Sequence, residues 1–172
     1  MRRLFSGHGG ATLALGLALI VGAAALAEGP ADGPADRSQD VVWMNAQQSA
    51  LAVRAAQPGW QPVEGGLLWR RVAGDGSGAH PAVTDIVTVH YTGTFVDGST
   101  FDTSEGGEPV TFPLGKLIPA WKLAIPQMGV GDTIEIAAPA NLAYGVKGKG
   151  PIPGGATLLF TVRLLDIGKG GQ

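Results

Sequence analysis

The chain has 172 residues, enough for one ordinary domain and a little more. Its net charge of −2, from 12 basic and 14 acidic side chains, offers no basic footprint for nucleic acid. The absence of cysteine excludes disulfides, a lipid-modified cysteine and thiolate metal sites, while 28 Gly and 12 Pro point to short strands and many turns.

Residues 1–27 read as a targeting segment. Arg2 and Arg3 form a charged start, Ala11 to Ala24 is apolar, and Ala25-Leu26-Ala27 is a small-x-small cleavage site before Glu28. A retained membrane anchor is the alternative. The apolar stretch is broken by Gly16 and Gly22, which suits a span of about 20 apolar residues poorly. Arg2-Arg3-Leu4-Phe5 carries only part of a twin-arginine signal. Cleavage after Ala27 removes two basic residues and no acid, leaving 10 basic against 14 acidic side chains. Export follows as an expectation, to a periplasm or to the exterior. The mature chain then carries no membrane segment.

Residues 28–40, rich in Gly, Pro, Asp and Ala, read as a disordered linker. Residues 41–57 contain neither Gly nor Pro and predict a short helix that Pro58-Gly59 ends. Linker and helix together occupy 28–61, before a domain over 62–168 and a flexible tail at 169–172. Leu67 to Val72 predicts a strand, and Gly74 to Gly78 a turn rather than a nucleotide loop, because the glycine spacing fails and no helix follows. Asp85 to Thr94 alternates, with Val87, Val89 and Tyr91 on one face. Asp97-Gly98 marks a turn. Phe101-Asp102 opens another segment, and Val110-Thr111-Phe112 is a short strand. Pro119 and Pro126 bracket a helix of about two turns. Thr133 to Ala137 alternates again, and Ala156 to Ile167 closes the domain with Leu158, Phe160, Val162 and Leu164 on one face. Short strands around one short helix, without a βαβ rhythm, predict an antiparallel α+β domain.

Searches for common reactive constellations fail. His8, His80 and His90 have no metal-site spacing. No serine sits in a nucleophile elbow. Lys147-Gly148-Lys149-Gly150 lacks the frame of a phosphate loop. What remains is a set of aromatics, Tyr91, Phe101, Phe112, Trp121, Tyr144 and Phe160, with Asp102 beside Phe101. Composition by itself is equally satisfied by a plain core.

The order of seven short segments resolves that ambiguity. Val89-His90-Tyr91-Thr92-Gly93 precedes Asp97-Gly98-Ser99-Thr100-Phe101-Asp102-Thr103-Ser104. Then come Phe112-Pro113-Leu114-Gly115 and Leu117-Ile118-Pro119-Ala120-Trp121. Met128-Gly129-Val130-Gly131-Asp132, Leu142-Ala143-Tyr144-Gly145 and Ala156-Thr157-Leu158-Leu159-Phe160 follow in register. Over about residues 62–168 the chain resembles the FKBP-type peptidyl-prolyl cis-trans isomerases. Gly65 to Arg70 looks like the first strand of their bacterial exported members.

The resemblance implies a twisted antiparallel β-sheet wrapped around one short α-helix. It implies an isomerase acting on Xaa-Pro bonds of exported, proline-containing polypeptides, with no cofactor, no metal and possible macrolide inhibitors. A non-catalytic chaperone or binding module on the same fold is the alternative. Tyr91, Phe101, Asp102 and Tyr144 are the implied catalytic residues. Phe112, Leu117, Ile118, Trp121, Ile152, Phe160 and Val110 are the implied substrate-binding residues, with Trp121 as floor and the Ile118 N–H and Tyr144 hydroxyl holding carbonyls. Val110 stands where the family often has an aromatic, and Val146-Lys147-Gly148-Lys149 replaces a loop that often carries His. The exported relatives often dimerise through a helical N-terminal region. That region is short here, which implies a monomer or a weak dimer.

Overall fold

The structure is a computed structural model, and it describes Arg37 and residues 40–170. The expected signal segment, most of the linker and the last two residues of the expected tail lie outside the described residues. Among the described residues no helix is long and apolar enough to cross a membrane.

Helix α1 spans Val41–Ala55. Asp40 caps it by accepting the Trp43 N–H at 2.8 Å, which satisfies one of the otherwise orphaned first-turn donors. Arg54 in the last turn donates to the Ala50 carbonyl at 2.9 Å, where a cation also suits the helix dipole.

Seven strands follow: β1 (Gln61–Pro62), β2 (Leu68–Ala73), β3 (Ile86–Thr94), β4 (Thr100–Thr103), β5 (Val110–Pro113), β6 (Thr133–Ala138) and β7 (Leu158–Gly168). They form one antiparallel sheet in the order β1-β2-β6-β7-β3-β4, with β5 also paired to β3. The α+β reading therefore stands, with the strands near their expected places. The two-residue β1 was not anticipated, since Pro62 cannot donate to a ladder and leaves little strand signal.

Helix α2 (Pro119–Ala124) starts on a proline and buries Ala120, Trp121 and Ala124 against the sheet. It is shorter than the two turns expected. Ile125–Gln127 tightens into a 3-10 turn containing Pro126, which has no N–H to continue the α pattern. The core lies between this helix and the inner face of β3, β6 and β7. Val87, Val89, Ile134, Leu158, Val162 and Leu164 are fully buried there.

Asp132 holds the far end of the domain together. Its buried carboxylate accepts the Gly129 N–H at 2.8 Å, the Gly76 N–H at 3.1 Å and Arg71 Nε at 2.9 Å. The Gly74–Gly78 segment is thus an anchored turn. Desolvation pushes the Asp132 carboxyl up, but these two backbone N–H groups and the Arg71 guanidinium outweigh it and hold it below its ordinary value.

Candidate active site

Strand β3 changes partner along its length. Its first half, Ile86 to Val89, pairs with β5, and Thr92 to Thr94 pairs with β4. Tyr91 sits between those two pairings, so β4 and β5 diverge on either side of it. Ser104 fixes the tyrosine there. The Tyr91 N–H donates to Ser104 Oγ at 2.9 Å, and the Ser104 N–H donates to the Tyr91 carbonyl at 2.9 Å.

The divergence leaves a cavity of about 210 Å³. Tyr91, Phe101, Asp102, Phe112, Leu117, Ile118, Trp121, Tyr144 and Phe160 line it. Trp121, on α2, is 4% exposed and receives three rings nearly at right angles. Tyr91 lies 5.3 Å away at 83°, Phe160 5.6 Å away at 88°, and Phe112 6.2 Å away at 83°, between centroids. Phe101 stands at 89° to Phe160, 5.8 Å away. Edge-to-face contacts of this kind are favourable beyond their burial. They build upright walls on a flat indole floor. The indole N–H is buried with no acceptor among the described residues.

Glycine is required at one point of this wall. A Cβ on Gly93 would lie 2.5 Å from Phe101 Cζ, so the ring can lie against β3 only where there is no side chain. The β3–β4 turn is sharpened by Gly98 at φ 87° and by Asp97, which accepts both the N–H and the hydroxyl of Ser99 at 2.9 and 2.6 Å.

Polar groups occupy one side of the cavity. The Tyr91 hydroxyl donates to Asp102 Oδ2 at 2.5 Å. Burial, then the hydrogen bond and charge of Asp102, push the Tyr91 phenol far above its ordinary value. Burial and the Asp102 charge raise Tyr144 as well. Both phenols therefore stay protonated near neutrality and can donate. Ile118 caps α2, and its carbonyl accepts the Trp121 and Lys122 N–H groups. Its own N–H has no acceptor among the described residues and stays available to a carbonyl from outside.

Nine of the eleven residues singled out from the sequence share this cavity. Ile152 does not line it. It is 6% exposed and borders an adjoining cavity with Lys149, Gly150 and Pro151. That cavity meets the first through Phe101, Asp102 and Tyr144. Val110 also falls outside. It opposes Val89 on β5 and shares a face with Phe112, but it does not line the cavity. Lys149 is exposed and carries its ammonium 5.7 Å above the Tyr144 ring. Ser104 and Gly93 were missed as site residues. Both close segments that carry the family resemblance, and Gly93 is also a glycine inside an alternating strand, but neither position by itself reveals its partner.

Comparison with known proteins places this arrangement. Residues 78–165 match the family model described as FKBP-type peptidyl-prolyl cis-trans isomerase. The chain is similar to the FKBP-type peptidyl-prolyl cis-trans isomerase FkpA of Aeromonas hydrophila, 48% identical over 120 residues, covering 69% of this chain and 44% of that protein. It is also similar to the FKBP-type 22 kDa peptidyl-prolyl cis-trans isomerase of Escherichia coli K12, 46% identical, covering 68% and 57% of the two chains. Among solved structures, FkpA from Escherichia coli superposes with a TM-score of 0.74 at 33% identity, over 78% of this chain and 63% of the other. The matched region thus spans about half the length of the curated relatives.

Proposed function

The chain belongs to the FKBP-type peptidyl-prolyl cis-trans isomerase family, and from that premise we propose that it accelerates rotation about Xaa-Pro bonds in proline-containing polypeptides. The observation that carries the reading is the aromatic cavity on Trp121, with the Tyr91–Asp102 hydrogen bond on one side. The prolyl ring enters that cavity and rests on the indole. The Ile118 N–H and the Tyr144 hydroxyl hold carbonyls of the flanking chain. Tyr91 and Phe101 confine the ring, and Asp102 lies beside the amide that twists.

A prolyl peptide bond resists rotation because resonance gives C–N partial double-bond character. The uncatalysed change crosses a barrier of about 20 kcal/mol. No bond between heavy atoms is made or broken, so the site needs only to grip the twisted amide better than either planar isomer. Twisting removes nitrogen conjugation, and the carbonyl oxygen then carries less charge and needs less solvation. Walls of Tyr91, Phe101, Phe112 and Phe160 provide little solvation, which disfavours the charge-separated planar form. Anchoring the ring and the flanking carbonyls separately resists their moving together, so that rotation is confined to the bond between them. A lowering of the barrier by about 5–8 kcal/mol corresponds to a rate gain of roughly 10⁴–10⁶.

Within the same reading, residues 1–27 are a cleaved signal segment, the mature protein acts outside the cytoplasm as a monomer or weak dimer, and macrolides compete for the prolyl cavity. The deciding experiment is NMR exchange on Leu-Pro and Phe-Pro peptides with the purified protein. Exchange well above background, competed by a macrolide, is expected. Background exchange from a folded protein overturns the proposal.

A further inference from the structure

A second recess, of about 360 Å³, lies beyond the prolyl cavity between α1 and the β3–β4 turn. Trp43 and Ala46 form its α1 wall, Phe95 and Val96 the turn wall, and Pro151 and Pro153 its floor. It is joined to the prolyl cavity in two steps. The adjoining cavity under Lys149 shares Phe101, Asp102 and Tyr144 with the prolyl cavity and Pro151 with the recess. Along the other side, the Phe95 ring lies 5.1 Å from that of Phe101. A track of aromatic and proline side chains therefore runs from the prolyl site to α1, bordered by Lys149 and by Arg37, whose guanidinium lies over the Trp43 ring.

The α1 wall is held at a defined place. Gln47 is 4% exposed, and its Oε1 accepts the Thr157 N–H at 2.9 Å. The Thr157 hydroxyl donates back to the Gln47 carbonyl at 3.3 Å. A buried polar pair is satisfied in one geometry only, since sliding the helix orphans both groups. Gly155 completes the seat, where an added Cβ would press on Met44 Sδ at 3.3 Å and Trp43 Cζ3 at 3.4 Å. Generic apolar packing would allow α1 to shift; this docking does not.

We infer that α1 is part of the substrate-binding surface, and that apolar side chains flanking the isomerised proline leave the prolyl cavity along this track and lodge between Trp43 and Phe95. The inference rests on the prolyl-isomerase reading. It names the substrate class more closely, as extended, unfolded polypeptide rather than isolated Xaa-Pro units. The occupant follows from continuity, because a chain held at its proline must leave the cavity through one of its open sides, and this side is walled by Trp43, Phe95, Pro151 and Pro153. The rim residues Asp97 and Ser99 leave the backbone of such a chain in contact with water and polar groups.

The test compares two substrates in the whole protein. One is a tetrapeptide containing Leu-Pro. The other is a twelve-residue peptide with the same Leu-Pro at its centre and apolar residues on both sides. Ala46→Arg fills the recess from an exposed position of α1, and Val96→Arg fills it from the opposite wall. Neither position touches the prolyl cavity. The expected result is a KM for the long peptide raised about tenfold, the equivalent of one lost apolar side-chain contact, with kcat kept. The tetrapeptide should stay within about twofold in both constants. The inference is overturned if neither variant changes the long peptide's KM, or if both substrates lose equally. It is also overturned if the variants change only the sedimentation of the protein, which would make the recess a contact between copies. A parent protein that turns over neither peptide overturns the isomerase reading itself, an outcome distinct from normal turnover without an Ala46→Arg effect.

Discussion

The phenol of Tyr91 and the carboxylate of Asp102 meet at 2.5 Å across the edge of the aromatic cavity. They come from adjacent strands, and the contact ties the wall on β3 to the wall on β4. It fixes the direction of the Tyr91 hydroxyl and keeps one carboxylate oxygen occupied. Burial first, and the bond to Asp102 second, keep the Tyr91 phenol protonated.

Removing either partner should impair catalysis through the other. Asp102→Ala and Tyr91→Phe are each expected to lower kcat/KM by about 10- to 100-fold, the range of a charge-assisted hydrogen bond. The double variant should lose little more than the worse single one, as coupled groups do. Because the Tyr91 phenol is raised, the stability it contributes is complete below about pH 10, the ordinary tyrosine value, and falls away only as the pH climbs toward the folded value. No tyrosine limb should appear in a pH–rate profile below that point.

Trp121 and Phe101 should separate stability from function. Trp121 is 4% exposed and supports three other rings. Trp121→Ala is expected to cost about 3–5 kcal/mol of folding stability along with the activity. Phe101 is only half-buried. Phe101→Ala should cost less stability but still lower kcat/KM by at least tenfold, about 1.4 kcal/mol in the barrier. Urea unfolding and peptide exchange on the same samples would compare the two.

Gly93→Ala offers a narrower test of the wall. The added methyl would stand 2.5 Å from Phe101 Cζ, so the ring must leave its place. Overpacking of this kind costs about 1–3 kcal/mol. The expected outcome is a folded protein with shifted Phe101 resonances and several-fold lower activity. An unchanged rate would show that the position of Phe101 is unimportant.

Acid stability should depend on Asp132. Its folded value is depressed, so its contribution is full above the unfolded value of about 3.9 and is lost as the pH falls through the folded one. Asp132→Asn is expected to destabilise the protein at pH 7 by on the order of 3 kcal/mol, because Arg71 loses a nearly buried partner. The deficit should shrink as the pH approaches 2. Thermal unfolding of parent and variant across pH 2 to 7 checks this.

Much of the fold was legible because local signals agreed with the tertiary result. Alternation in β3 put Val87 and Val89 in the core, and Pro119 opened α2 where it opens in the structure. The cavity was legible because nine of its residues sit in short, ordered segments whose sequence and spacing are distinctive. Other features depend on long-range pairing that no local pattern encodes. Gln47 meets Thr157 across 110 residues and Arg71 meets Asp132 across 61. Ser104 reads as an ordinary turn residue until its two hydrogen bonds to Tyr91 are seen. Ile152 and Val110 fall outside the first cavity, because neighbourhood along a strand or loop does not reveal which of two adjoining spaces a side chain borders.

The strand order has a consequence for how the protein comes into being. Strand β7 is the last of the seven strands in chain order, yet it lies between β6 and β3 and contributes Phe160 to the cavity wall. Until residues 158–168 are in place, the two halves of the sheet have nothing to join them. A chain that lacks β7 is therefore expected to form neither the joined sheet nor the complete cavity.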